Sequence, residues 1–91
     1  MTFELAATFR QTSGCEVSQM SDGVVIYQTE KERVHYLNPT ASVIYDLCGE
    51  AQSVEAIVAY LMDAFSLLEP PREEVTQCIG QLLTEGLISR C

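Results

Sequence analysis

Val24-Val25-Ile26-Tyr27-Gln28, then Thr29-Glu30-Lys31-Glu32, then Arg33-Val34-His35-Tyr36-Leu37-Asn38-Pro39: this stretch decides how the chain folds. The first five residues are β-branched or aromatic and read as the strongest strand in the sequence. The charged Glu30-Lys31-Glu32 reads as a hairpin tip. Arg33-Val34-His35-Tyr36-Leu37 then reads as a second strand, antiparallel to the first because the connection is short. At Asn38-Pro39 the period changes. Asn38 suits an N-cap and Pro39 the first helical position.

Upstream, Ser21-Asp22-Gly23 is a turn signal. It joins the strong strand to a weaker one over Cys15–Met20, with Cys15, Val17 and Gln19 on one face. Residues 1–14 lack a clean period and end in Gln11-Thr12-Ser13-Gly14. They are expected to form a flexible arm, with a short strand around residues 5–9. Downstream, Ala41, Ile44, Leu47 and Cys48 recur at helical spacing until Gly49. A second helix starts near Ser53, an N-cap, with Glu55 in its first turn and a stripe of Val54, Ile57, Val58, Leu61 and Phe65. Residues 66–71 form a loop closed by Pro70-Pro71. The third helix carries Glu73 and Glu74 in its first turn and a stripe of Val75, Cys78, Ile79, Leu82 and Leu83. It ends at Gly86, and Leu87 and Ile88 fold back on the core.

Three strands followed by three helices, with no βαβ alternation, argue against a parallel sheet. The expected fold is α+β: a three-stranded antiparallel sheet followed by three helices, resembling a winged helix-turn-helix. The chain has 91 residues, room for one domain, here residues 15–91 behind the arm. Its 47% hydrophobic and 20% charged residues fit a globular protein. No run approaches the ~20 apolar residues of a membrane helix. The first residues lack the basic and apolar regions of a secretory signal, so a cytoplasmic location is expected.

The net charge of −8 argues against a nucleic-acid partner, which would need clustered cations. Cys15, Cys48, Cys78 and Cys91 include no C-x-x-C pair, and His35 is far from all of them in sequence, so no metal site is expected. Cys48 and Cys78 lie on apolar stripes and read as small buried thiols. Glu73-Glu74 are adjacent and point about 100° apart on a helix, as ordinary partners of its dipole. His35 has no recognisable partner as a general base. With no phosphate loop and no nucleophile beside a base, no enzyme, no catalytic residue and no cofactor are expected.

The third strand of the meander is more informative. An outer strand offers unpaired N–H and C=O groups that can template another strand. Here the charges cluster at residues 30–33, and residues 34–37 carry none besides His35. An extended peptide could add to that edge. Equally, the strand could be paired internally or covered by the amino-terminal arm.

The segment His35-Tyr36-Leu37-Asn38-Pro39-Thr40-Ala41-Ser42-Val43-Ile44-Tyr45-Asp46-Leu47-Cys48-Gly49 resembles the signature of the PqqD-like family. That signature is a strand ending in Leu-Asn, Thr-Ala, an Ile-aromatic-x-Leu helix and a Gly. Ser53-Val54-Glu55-Ala56-Ile57 with Leu61, and then residues 75–82 with Glu85-Gly86-Leu87-Ile88, continue it in order. The resemblance implies a leader-peptide recognition domain of ribosomally made, modified peptides, a RiPP recognition element. The leader would dock as an added strand on the third strand, against the third helix. The domain would present it to a separate modifying enzyme of radical iron–sulfur, protease or cyclase type. Mapped by position, the contacts are Arg33, Val34, His35 and Tyr36 on the strand and Val75, Cys78, Ile79 and Leu82 on the helix, whose groove-facing flank stays open. Leu37, Ala41 and Ile44 are expected in the core. The alternatives are a winged-helix DNA-binding regulator and an adaptor that docks folded partners through its helices. Two features depart from the family pattern. The first strand is poorly patterned, which admits a strand-swapped homodimer or a frayed first strand. Gly80 interrupts the third helix at a cost of ~1 kcal/mol relative to Ala; it allows close backbone approach, though an exposed neutral glycine is the plainer reading.

Overall fold

The computed structural model describes residues 6–91. Along the chain run β1 (Thr8–Gln11), β2 (Cys15–Met20), β3 (Gly23–Gln28), β4 (Arg33–Leu37), α1 (Pro39–Leu47), β5 (Gln52–Ser53), α2 (Val54–Ala64), α3 (Arg72–Thr84) and β6 (Ile88–Arg90). The meander β2-β3-β4 and the three helices match the expected α+β order. A second antiparallel sheet, β5-β1-β6, joins the two ends of the described chain.

That second sheet changes the reading of the amino-terminal segment. Thr8–Gln11 are not loose: Phe9 is fully buried, and β1 pairs with β5 on one side and β6 on the other. Gln11 adds a backbone bond to the Cys48 carbonyl at 2.8 Å and a side-chain bond to the Tyr45 carbonyl at 2.7 Å. A strand of four residues, with partners of two and three, is too short to show a period. Burial of one phenylalanine and a shared hydrogen-bond ladder hold it instead. Of the strand expected around residues 5–9, Leu5 lies outside the described residues.

Local chemistry sets the helix starts. The Asn38 side chain accepts from the Ala41 N–H at 2.8 Å, and Ser53 accepts from Ala56 at 3.0 Å. Each satisfies a donor that a helix start leaves orphaned. α3 has no side-chain cap; Glu73 and Glu74 in its first turn face the positive end of its dipole instead. Gly86, with φ of 74°, ends that helix in the left-handed conformation.

The meander pairs in continuous register, Val24↔Leu37, Ile26↔His35 and Gln28↔Arg33. Because side chains alternate, Val24, Ile26 and Gln28 of β3 share the helix-facing side with Leu37, His35 and Arg33. Val25 and Tyr27 share the outer side with Tyr36 and Val34. Gly23 begins β3 with φ of 151°, and a Cβ there would collide with the Leu37 carbonyl oxygen. The core lies between this sheet and the helices, built on Ile26, Ile44, Ile57, Leu61, Val75 and Ile79. Ile44 and Leu37 are core residues as expected; Ala41 is only partly buried against it.

Candidate functional site

β4 pairs with β3 on one side, and no strand among the described residues pairs with its other side. β1, within the expected arm, sits in the other sheet and does not cover this edge. The Leu37 carbonyl points at the start of β3. In an antiparallel ladder each residue turns its N–H and C=O to the same side, and successive residues alternate. Leu37, His35 and Arg33 therefore bond to β3. Val34 and Tyr36 direct their backbone groups to the open edge, about 6.8 Å apart along the strand.

This edge borders a groove of about 870 Å³ whose opposite wall is α3. The volume lies in the upper part of the usual ligand-site range of ~300–1,000 Å³. α3 and its C-cap Glu85 line it from Thr76 onward, and β4 from Val34 to Leu37. From Thr76 to Thr84 the helix rises about 12 Å, comparable with the roughly 10 Å of strand opposite, so α3 runs alongside the groove.

Of the residues expected from the sequence, Val34, His35, Tyr36, Cys78 and Leu82 meet at this groove. Val34 and Tyr36 do so through their backbone. Their side chains lie on the outer face of the sheet, 65% and 55% exposed, and the Tyr36 hydroxyl donates to the Asp22 carbonyl at 2.8 Å. Arg33 lies at the edge's end, outside the lining. Val75 and Ile79 do not reach the groove. Both are fully buried, because the stripe that anchors a helix to its core cannot also face an open cleft. The flank beside that stripe forms the wall: Thr76, Gln77, Gly80, Gln81 and Thr84. These residues were not among those expected from the sequence. The signal was present in their spacing, since 76, 77, 80, 81 and 84 share one helix face. Leu37, Ala41 and Leu87 form the apolar floor.

A polar knot closes one end. His35 Nε2 lies 2.6 Å from Gln28 Oε1, and Gln28 Nε2 donates to the Glu85 carbonyl at 3.0 Å. His35 Nδ1 is 3.5 Å from Glu85 Oε2, which also lies 3.7 Å from Arg33 Nη1. Gln28 is buried, so both ends of its carboxamide are used and no orphan results. The knot joins β3, β4 and the end of α3. The Arg33–Glu85 pair is exposed and adds little by itself.

Nothing at this site resembles an activated nucleophile. Burial pushes the Cys78 thiol up to about 11, and burial, helped by Cys78 and Cys91, does the same to Cys48. Both stay protonated at neutral pH, the reverse of a reactive cysteine. No cluster among the described residues could hold a metal ion, and no described helix is long and apolar enough to cross a membrane. The groove offers backbone groups on one side, carboxamides on the other and an apolar floor between, an arrangement suited to holding an extended chain.

The sequence matches the family model described as Coenzyme PQQ synthesis protein D (PqqD) over residues 23–88. Among solved structures, the chain is similar to one described as lasso peptide synthetase B1 complexed with the leader peptide. The TM-score is 0.70 at 21% identity, covering 89% of this chain and 96% of that one. At that identity the likeness is one of fold. No curated protein matches the sequence.

Proposed function

This chain belongs to the PqqD family, and from that premise we propose that it is a non-catalytic domain that captures the leader segment of a ribosomally made precursor peptide. The leader adds as a strand to β4 and is presented to a separate modifying enzyme. The observation that carries this reading is the open edge at residues 34–36, set against a groove walled by α3. Strand addition gives main-chain affinity, and the groove supplies side-chain selection. The fold shared with a leader-bound synthetase component supports the same reading.

Titration of a labelled leader, taken from a precursor gene sought in this gene's neighbourhood, tests it. Saturable binding tighter than about 100 μM is expected; its absence counts against the proposal. Val34→Pro tests the edge itself. Proline removes a donor that faces the open side and leaves the β3 ladder intact. The variant should fold and bind at least about fivefold more weakly. Unchanged affinity in the folded variant would place the leader elsewhere.

A further inference from the structure

A strand docked on β4 has a second edge, and that edge faces α3. Its unpaired N–H and C=O groups recur every two residues, about 6.8 Å apart. Left without partners in the groove, they would count against binding. α3 presents Gln77 and Gln81 on the wall opposite β4, one helical turn apart, a rise of about 6 Å. Both side chains are exposed, and neither carboxamide has a hydrogen-bond partner among the described residues. Each carries a donor and an acceptor, as a backbone amide does. The two threonines on this face are occupied differently. Thr76 Oγ1 donates to the Arg72 and Glu73 carbonyls, and Thr84 Oγ1 donates to the Gly80 carbonyl.

Gly80 lies between the glutamines, on the same wall. Glycine is a poor residue for a helix interior. A Cβ at this position would meet nothing within 4 Å, so packing within this chain does not require its absence. What the missing side chain does is thin the wall at the point an occupant would approach.

Resting on the strand-addition reading, we propose that Gln77, Gly80 and Gln81 form a second backbone-reading face, so that the leader strand is held along both edges. The two carboxamides bond alternate peptide groups of the leader's outer edge, and Gly80 lets that edge come close enough to be bonded. Recognition on this side is of an extended main chain and not of particular leader side chains.

The test uses the same leader as the titration above, made synthetically. Ester-linked versions each replace one backbone N–H by oxygen, at successive positions. In the unaltered protein, esters whose missing N–H faces β4 and esters whose missing N–H faces α3 should both weaken binding. Gln77→Leu/Gln81→Leu should weaken the all-amide leader about tenfold and erase the further loss from α3-facing esters only. Gly80→Leu, confirmed as folded by circular dichroism, should weaken binding at least about tenfold. If the double glutamine variant binds the all-amide leader normally, or if its ester losses match those of the unaltered protein, the second face does not exist. Normal binding by Gly80→Leu would remove the close approach. If Val34→Pro weakens binding while the glutamine variant does not, the site stands and only this inference fails. If the unaltered protein does not bind the leader, the strand-addition reading itself fails.

Discussion

Cys78 sits where the groove wall turns into the core, and its chemistry follows from that position. Burial raises its thiol from 9.0 to about 11. At pH 8 its thiolate fraction is then about a hundredfold below that of an ordinary thiol. Alkylation at Cys78, followed by peptide mass spectrometry, should be correspondingly slow at pH 8 and should speed up tenfold per pH unit toward pH 11. An ordinary rate at pH 8 would mean that the thiol is not buried as described. Single residues were unevenly legible from the sequence. Asn38 and Ser53 were readable as caps because a cap needs one oxygen at one position. Val75 and Ile79, expected from the sequence at the groove, are buried in the core, because apolar spacing marks a helix face and does not say what covers it. Gln28 gave no signal of burial, since its two partners come from β4 and from the carboxyl end of α3.

Among the elements, β1 departs most from its sequence. Four residues with one buried aromatic look like an arm, yet they form the middle of a sheet. Phe9→Ala should cost about 3–5 kcal/mol, as large aromatic truncations in cores do. A urea titration would show this as a lower midpoint at unchanged slope. A loss under about 0.5 kcal/mol, the usual range of a surface substitution, would make β1 dispensable. The meander was legible for the opposite reason: residues 24–28 and 33–37 are long enough to alternate, and the short charged tip fixes their direction. α3 was legible as a helix and as one wall, but not by its groove-facing flank. That flank is settled by where β4 lies, which periodicity within α3 cannot report.

For the molecule as a whole, the buried thiols and the phenol of Tyr45 set an alkaline limit. Tyr45 is raised to about 12, by burial first and by Cys15 second; Cys48 and Cys78 are raised to about 11 by burial. A raised pKa means that the folded chain holds these protons more tightly than the unfolded chain does. The stabilisation is therefore complete below pH 9, where the unfolded thiols are still neutral. It is lost as pH rises through about 11 and 12. Thermal unfolding should give a Tm insensitive to these groups from pH 7 to 9 and falling from 9 to 12. Cys48→Ala/Cys78→Ala should flatten that fall; an identical slope in the variant would assign it to other groups. The net charge of −8 was the whole-molecule feature most directly legible, and it argued against a nucleic-acid partner from the outset.

The sheet that joins residues 8–11 to residues 88–90 also has a history in time. Arg10 pairs with Ser89 and Phe9 with Arg90, across nearly the full length of the chain. Closing so long a loop must be accomplished before the contact repays it. Among the described strands β1 is made before the others, yet it waits for the residues of β6 before both its sides can be paired. The strand at the middle of its sheet thus emerges before its two partners and is enclosed only when the later of them arrives.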